Sequence, residues 1–153
     1  IAAQYGIPSD LLQFELTETI FLNDFTDAKK LIDKLRLYGY GVAIDDFGSG
    51  YAGINIWQEL NFDVLKLDKK FLSENPELKR RNEALLPNLI NISQRLQTAV
   101  LCEGVETEEQ FAMLKKLGFG AAQGYLFSRP IPMEEYEAAY MQPKVPDAAS
   151  KGP

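Results

Sequence analysis

The distribution of apolar and polar positions divides the chain into alternating strands and helices. Short apolar runs that are bounded by polar residues or glycine predict five strands, over 12–18, 40–47, 62–68, 98–104 and 120–127. Between them, apolar residues recur every three or four positions and predict helices over 26–38, 53–60, 80–97, 107–117 and 133–141. Strands that alternate with helices are typical of βαβ units, so the pattern predicts an α/β fold with a parallel sheet.

Local signals set several helix ends. Asp24 or Thr26 is a candidate N-cap, and Thr107 with Gln110 forms a capping-box pattern before a helix that should end at Gly118. Pro87 lies inside the longest predicted helix and is expected to bend it.

The strands are almost continuously apolar, which favours a sheet covered on both faces. Barrel and open sheet both remain possible at this point. A complete eight-unit barrel needs about 250 residues, whereas this chain has 153 and supplies about five βα units. If the fold is a barrel, we expect its N-terminal units to be missing.

Polar side chains stand at or near the carboxyl end of every predicted strand. They are Glu15, Asp45 with Asp46, Lys66 with Asp68, Glu103, and Gln123. In parallel α/β folds this edge is where active sites are built.

Two interpretations of these residues compete. Lys66 could form a structural ion pair with Asp68 or Glu103. However, several carboxylates that converge around one lysine repel each other, and hard divalent cations prefer oxygen ligands. We therefore favour a carboxylate metal site over a purely structural ion network.

Composition excludes several classes of function. The net charge is −6 and the pI about 4.7, which argues against a non-specific grip on duplex nucleic acid. The chain has no histidine, so acid–base and metal chemistry must use carboxylates, lysine, tyrosine or amides.

The single cysteine, Cys102, excludes an internal disulfide and is interpreted as a small core residue. No apolar run approaches the roughly 20 residues that span a bilayer, so we expect a cytoplasmic domain, which another domain of a parent chain could tether to a membrane.

Five motifs together resemble the EAL domain family, bacterial phosphodiesterases that cleave cyclic di-GMP to linear pGpG. The motifs are ELTE (15–18), AIDDFGSGY (43–51), DVLKLD (63–68), CEGVET (102–107) and QGYLFSRP (123–130). The resemblance implies a modified TIM-type barrel with two Mg²⁺ or Mn²⁺ ions at its C-terminal face and cyclic di-GMP as the substrate.

The resemblance also implies roles for individual residues. The implied metal ligands are Glu15, Asp45, Asp46 and Glu103. The implied catalytic residues are Lys66, which orients the attacking water, Glu103, which also serves proton transfer, and Gln123. Glu18 would anchor the loop Gly48–Asn55, and Asp68 and Glu106 would lie in the outer shell. The adjacent carboxylates Asp45 and Asp46 make sense if the strand ends between them and the turn aims Asp46 at a second cation.

The chain departs from the family pattern in one major respect: the E-A-L motif and the asparagine of the following strand are absent. We therefore expect 1–141 to be the C-terminal part of an EAL domain, 142–153 to be a flexible tail, and the activity of this piece alone to be in doubt.

Alternatives to an enzyme remain. EAL-like domains also serve as cyclic di-GMP receptors or protein-interaction modules, usually with substituted acids, whereas this chain keeps every acid of its motifs. An enolase-like lyase would explain the acids and Lys66 but not FGSGY or QGYLFSRP. The expected partners are a second copy of the chain and a sensory or GGDEF-type domain in the parent protein.

Overall fold

The computed structural model describes residues 2–49 and 53–141 and places one parallel sheet at the centre of the protein. The strands lie in chain order, β1-β2-β3-β4-β5, and every adjacent pair is parallel. Their bounds are Gln13–Thr17 (β1), Gly41–Phe47 (β2), Val64–Leu67 (β3), Ala99–Cys102 (β4) and Ala121–Ala122 (β5). The α/β architecture with a parallel sheet is therefore confirmed. The predicted tail 142–153 lies outside the described residues.

Helices connect the strands. They are Ile20–Asn23 (α1), Phe25–Leu37 (α2), Asn55–Glu59 (α3), Pro76–Leu96 (α4), Glu108–Leu117 (α5) and Met133–Tyr136 (α6), the last continuing into a π-helical turn at Glu137–Met141. Short 3-10 turns lie at Ala2–Tyr5, Ser9–Leu11 and Lys69–Leu72. The sequence pattern did not predict α1 or the 3-10 turns Ser9–Leu11 and Lys69–Leu72, because three or four residues show no periodicity.

The predicted helix caps are confirmed. The Asp27 backbone N–H donates to the Asp24 carboxylate at 3.0 Å. At the start of α5 the Gln110 N–H donates to the Thr107 hydroxyl at 3.2 Å, and the Thr107 N–H donates to the Gln110 side-chain oxygen at 3.2 Å. Gly118 ends the helix in a left-handed conformation with φ 87°. These caps fix both ends of the segments that cover the sheet.

Helix α4 begins at Pro76, earlier than the predicted position 80. The Asn75 side chain accepts hydrogen bonds from the N–H groups of Glu77 and Leu78, and Pro76 occupies the first turn, where its missing N–H costs nothing. Pro87 lies inside the helix, which continues past it to Leu96.

The two faces of the sheet differ in what covers them. In the register of the strands, Ile44 lies beside Leu65 and Leu65 beside Val100. These side chains pack beneath the helices, with Ile44 and Leu65 fully buried. We call this the helix-covered face. The opposite face carries Glu15, Ala43, Asp45, Lys66 and Glu103, and we call it the polar face. The sequence predicted a sheet covered on both faces. Among the described residues helices cover one face, and on the polar face Ala43 and Lys66 are buried as well.

Strand β5 is much shorter than predicted. It spans Ala121–Ala122 instead of 120–127. The chain turns at Gly124, where a Cβ atom would lie 2.2 Å from the Val105 carbonyl oxygen, and the Phe127 N–H donates to the Gly124 carbonyl at 3.1 Å. Because only glycine permits this close backbone approach, the apolar residues after it fold back instead of extending the strand.

Among the described residues, no helix combines the length and the apolar character needed to cross a bilayer.

Candidate active site at the carboxyl edge of the sheet

A β-bulge in β2 places two adjacent carboxylates at the same edge. Ile44 pairs with Leu65 and Phe47 pairs with Leu67, so two residues, Asp45 and Asp46, stand opposite one residue of β3. Asp46 has φ 56°, and its N–H donates to the Asp45 carboxylate at 3.0 Å. The prediction that the strand ends between them is wrong, because β2 continues to Phe47. The bulge, rather than a strand end, turns Asp46 out of the regular alternation.

Lys66 lies at the centre of the site and contacts three carboxylates. Its Nζ is 2.8 Å from Glu15 Oε2, 3.1 Å from Asp45 Oδ1 and 2.9 Å from Glu103 Oε1. Only 7% of the Lys66 side chain is exposed, against 47%, 19% and 23% for Glu15, Asp45 and Glu103. Acids on β1, on β2 and directly after β4 thus converge on a lysine of β3.

The electrostatics of Lys66 follow from this arrangement. Burial lowers the pKa of the Lys66 ammonium, but its hydrogen bonds to Glu15, Glu103 and Asp45 outweigh burial and raise the pKa overall. Lys66 is therefore positively charged at neutral pH. With Asp46 beside Asp45, four carboxylates face this one ammonium, so the cluster keeps an excess of negative charge.

The donor set fits a hard divalent cation. Carboxylate oxygens of Asp45, Asp46 and Glu103 all lie within 4.8 Å of one another, and such oxygens are the ligands that Mg²⁺, Mn²⁺ and Ca²⁺ prefer. Glu15, the fourth predicted ligand, is not part of this group and instead contacts Lys66. The four acids outnumber the lysine at their centre, and a bound cation could offset their charge.

Glu18 holds the loop that follows the bulge. This side chain is buried, and its Oε2 accepts hydrogen bonds from the Gly48 N–H at 3.1 Å, the Ser49 N–H at 3.1 Å and the Ser49 hydroxyl at 3.0 Å. The predicted loop Gly48–Asn55 includes Gly50, Tyr51 and Ala52, which lie outside the described residues. The described start of the loop is fixed to the segment that follows β1.

A cavity of about 270 Å³ adjoins the acid cluster. It is lined by Glu103, Glu106, Gln123, Lys69 and Tyr125, among others. Two predicted residues, Glu106 and Gln123, thus lie beside Glu103. Lys69 and Tyr125 were not predicted as site residues. Lys69 directly follows Asp68, and Tyr125 lies within the motif QGYLFSRP.

Asp68 does not form the ion pair with Lys66 that the structural alternative predicted. Its carboxylate accepts the Lys70 N–H at 2.8 Å and caps the 3-10 turn Lys69–Leu72. The ion pairs of Lys66 among the described residues are with Glu15, Asp45 and Glu103, not with Asp68.

Cys102 points away from the site. It is fully buried on the helix-covered face. Burial, with the negative charges of Glu103 and Asp68, raises the pKa of its thiol to about 12. The interpretation of Cys102 as a core residue is confirmed.

The fold and the site define a class: a parallel α/β domain with an acidic, lysine-centred cluster at the carboxyl edge of its sheet. The sequence model of the EAL domain family matches residues 1–130. The chain therefore belongs to the EAL domain family.

Curated relatives share much of this sequence but are far longer. The chain is 40% identical over 131 residues to the oxygen sensor protein DosP of Escherichia coli, and covers 16% of it. It is 33% identical over 136 residues to the cyclic di-GMP phosphodiesterase RocR of Pseudomonas aeruginosa, and covers 34% of that protein. The matches take in 86% and 89% of this chain. The chain thus spans only about a sixth to a third of these relatives.

Solved structures agree on the fold. The EAL domain of Mycobacterium smegmatis DcpA superposes with a TM-score of 0.79 at 31% identity, over 90% of this chain and 61% of that one. The manganese and cyclic di-GMP complex of Klebsiella pneumoniae BlrP1 gives a TM-score of 0.75 at 31% identity, over 84% of this chain and 32% of that one. The five-stranded sheet is accordingly part of a TIM-barrel-like architecture.

Proposed function

We propose that this chain is the part of a cyclic di-GMP phosphodiesterase that carries its metal-binding and catalytic edge, and that the reaction yields linear pGpG. The observation that carries the proposal is the cluster of Asp45, Asp46 and Glu103 carboxylates within 4.8 Å of one another, beside the Lys66 ammonium. The names of RocR and of the BlrP1 complex supply the substrate.

Two Mg²⁺ or Mn²⁺ ions are the proposed cofactors, held by Asp45, Asp46 and Glu103 with Glu15 joining them once Lys66 releases it. Bound divalent ions would lower the pKa of a coordinated water and offset the charge of the phosphodiester. The acidic character of the protein is then no obstacle to an anionic substrate.

Lys66 has the position to act on the attacking water and on the phosphate. Its ammonium is charged and held within 3.1 Å of Asp45 and 2.9 Å of Glu103. There it can donate a hydrogen bond that orients the water and can stabilise the negative charge that develops on a phosphoryl oxygen. Attack by the water breaks one P–O bond of the ring, the water proton passes to a carboxylate, for which we propose Glu103, and the leaving oxygen takes up a proton.

The remaining residues support this arrangement. Gln123 and Glu106 line the cavity next to Glu103 and would contact the substrate or order water there. Glu18 fixes the backbone just beyond the bulge, and Asp68 fixes the turn just beyond β3. Both would hold the ligands in position rather than touch the substrate.

A longer parent protein fits the comparisons. The first relative is named an oxygen sensor, and the chain covers 16% of it. We infer that a sensory or GGDEF-type domain and a second copy of the chain regulate the site, and that it works in the cytoplasm.

Turnover tests the proposal. Purified protein, as this chain and as a version lengthened to a complete EAL domain, is mixed with cyclic di-GMP and Mg²⁺ or Mn²⁺, and pGpG is followed by chromatography. We expect turnover in the longer version, reduced about a hundredfold or more by Lys66→Ala and by Asp45→Asn. The control is Lys30→Ala, which removes an exposed ion pair on α2.

A cyclic di-GMP receptor would behave differently. Calorimetry would show binding of the dinucleotide to the longer version, while chromatography would show no pGpG with either metal. That result would overturn the proposed hydrolysis, and loss of binding as well would overturn the proposed ligand.

A further inference from the structure

A second cavity lies outside the acid cluster, between the 3-10 turn Lys69–Leu72 and the helices α4 and α5. Its volume is about 250 Å³, and a cavity of roughly 150 Å³ is enough to hold benzene. Its apolar wall is formed by Phe71, Leu72, Leu86 and Met113, of which Leu72 and Leu86 are buried. The space is thus suited to one aromatic ring or a short alkyl group. We call it the helix cavity.

The mouth of the helix cavity is negatively charged. Three carboxylates line it, those of Glu74, Glu83 and Glu109, with a single cation, Lys79. Lys79 Nζ pairs with Glu74 at 3.2 Å. Lys79 therefore pairs with neither Glu83 nor Glu109. Hydrogen bonds from the Glu109 N–H and the Thr107 side chain at the start of α5 lower the pKa of Glu109 and stabilise its negative charge. The lining acids outnumber the lining lysine and favour a positively charged group at the mouth.

One wall of the helix cavity touches the loop that follows the metal-ligand candidates. A Cβ atom on Gly48 would lie 2.4 Å from Phe71 Cε2, so the Phe71 ring fills the space that glycine leaves. The Gly48 N–H in turn donates to Glu18 at 3.1 Å. On the other side, the Asn82 amide donates to the carbonyls of Lys70 and Phe71, at 3.1 Å each, and ties the turn to α4. The ring is therefore packed between the cavity and the start of the loop.

We propose that the helix cavity binds a small amphipathic organic cation, an arylalkyl or alkyl ammonium, and that the bound molecule holds the Phe71 ring against Gly48. An occupied cavity limits the movement of the ring away from the loop. Because Gly48 follows the strand that carries Asp45 and Asp46, we expect a loop held in its present position to favour cation binding by these two carboxylates. This second step rests on the proposed metal-dependent function, whereas the binding step does not.

Binding is tested on this chain with 2-phenylethylammonium as the probe. Methyl-labelled methionine gives three signals, Met113, Met133 and Met141. Met113 lines the cavity, whereas Met133 and Met141 are exposed elsewhere and report non-specific contact. We expect a saturable shift of the Met113 methyl alone, and none with 3-phenylpropionate, which has the same ring and the opposite charge.

The contribution of negative charge to probe binding is tested with matched variants on α5. Glu109→Gln should weaken binding of the ammonium several-fold, whereas Glu108→Gln, its neighbour in the same helical turn but outside the cavity lining, should not. Equal shifts of all three methyls, no saturation, or equal binding of the carboxylate probe would overturn the proposed site.

The effect of probe binding on the loop and on the metal site is measured by the Gly48 amide signal and by calorimetric titration of Mn²⁺. With the probe bound, we expect the Gly48 amide signal to shift and the affinity for Mn²⁺ to rise about fivefold. Phe71→Leu should weaken binding of the probe, since Phe71 lines the cavity, and at a probe concentration that saturates the Met113 methyl it should still lose the Gly48 response, because a shorter side chain no longer bridges the two. An unchanged Gly48 signal at saturation would overturn the transmission. Absence of any Mn²⁺ binding, with the Met113 and Gly48 responses intact, would count against the proposed function instead.

Discussion

The two faces of the same sheet obey different rules. On the helix-covered face, Ile44 and Leu65 are fully buried in the hydrophobic core, where close packing of apolar side chains stabilises the fold. One residue further along each strand, Asp45 and Lys66 turn to the polar face, where the environment is charge and hydrogen bonding. The strands thus stabilise the fold with one set of alternate residues and hold the candidate site with the other.

The difference shows where the protein departs from good packing. Burying an ammonium beside several carboxylates stabilises less than an apolar core would, and removing one partner leaves uncompensated charge. The bulge at Asp45 and Asp46 adds a left-handed residue, with φ 56° at Asp46. Asp46, one of two non-glycine residues with positive φ among those described, thus lies next to the acid cluster at the carboxyl end of the polar face.

The largest effect is expected from Leu65→Ala on the helix-covered face. Loss of this fully buried side chain leaves a cavity and should lower the free energy of unfolding by about 2–5 kcal/mol. Its strand neighbour Val64, on the polar face and only partly buried, is the control. Urea denaturation should show a loss of at most about 1 kcal/mol for Val64→Ala. Equal losses would break the distinction between the faces.

Lys66→Met tests the polar face. The change leaves Glu15, Asp45 and Glu103 without their common cation and should cost about 2 kcal/mol in EDTA, less than for a fully buried pair because the acids retain some solvent contact. Millimolar Mg²⁺ should restore much of the loss, because it replaces the missing positive charge.

The control for this change is Lys70→Met, which removes an exposed lysine four positions along the chain that does not line the cavity beside Glu103. Denaturation curves with and without Mg²⁺ should differ little between this variant and the parent. A Lys66→Met protein whose stability does not respond to divalent ions would argue for a structural ion network.

Gly48→Ala should have a smaller effect that is centred on the loop. Gly48 has φ +96°, and a Cβ atom there would overlap Phe71 at 2.4 Å. We expect a loss of about 1–2 kcal/mol and weaker binding of Mg²⁺, measured by denaturation and calorimetry. Gly6→Ala is the matched control, because Gly6 has φ +64° but nothing within 4 Å of the added methyl. If both variants lose the same stability, backbone strain alone explains the result and the contact with Phe71 contributes nothing.

The smallest effect concerns Cys102. Because its thiol is fully buried and its pKa is raised to about 12, a disulfide reagent should not label the native protein at neutral pH. Labelling should appear in denaturant and be absent from Cys102→Ala. Rapid labelling of the native protein would show that the helix-covered face opens readily.

Much of the fold could be predicted from local pattern. The strands, the order of elements and the caps at Asp24 and Thr107 follow from periodicity and from hydrogen bonds between near neighbours in sequence. The end of β5 could not, because it depends on the approach of Gly124 to the backbone of Val105, which is distant along the chain. The early start of α4 is signalled by the pair Asn75–Pro76, an N-cap followed by a proline in the first turn, but the apolar periodicity that predicted this helix begins later.

The candidate site divides in the same way. The sequence determined which residues carry its chemistry, since acids, a lysine and an amide stand at strand ends, and parallel strands bring those ends to one edge. Only the tertiary structure decided how they meet: that Lys66 contacts Glu15, Asp45 and Glu103 rather than Asp68, and that a bulge turns Asp46 towards the cluster. The physical reason is that alternation along one strand fixes a side chain's face, whereas distances between charges depend on the register of neighbouring strands and on where that register shifts.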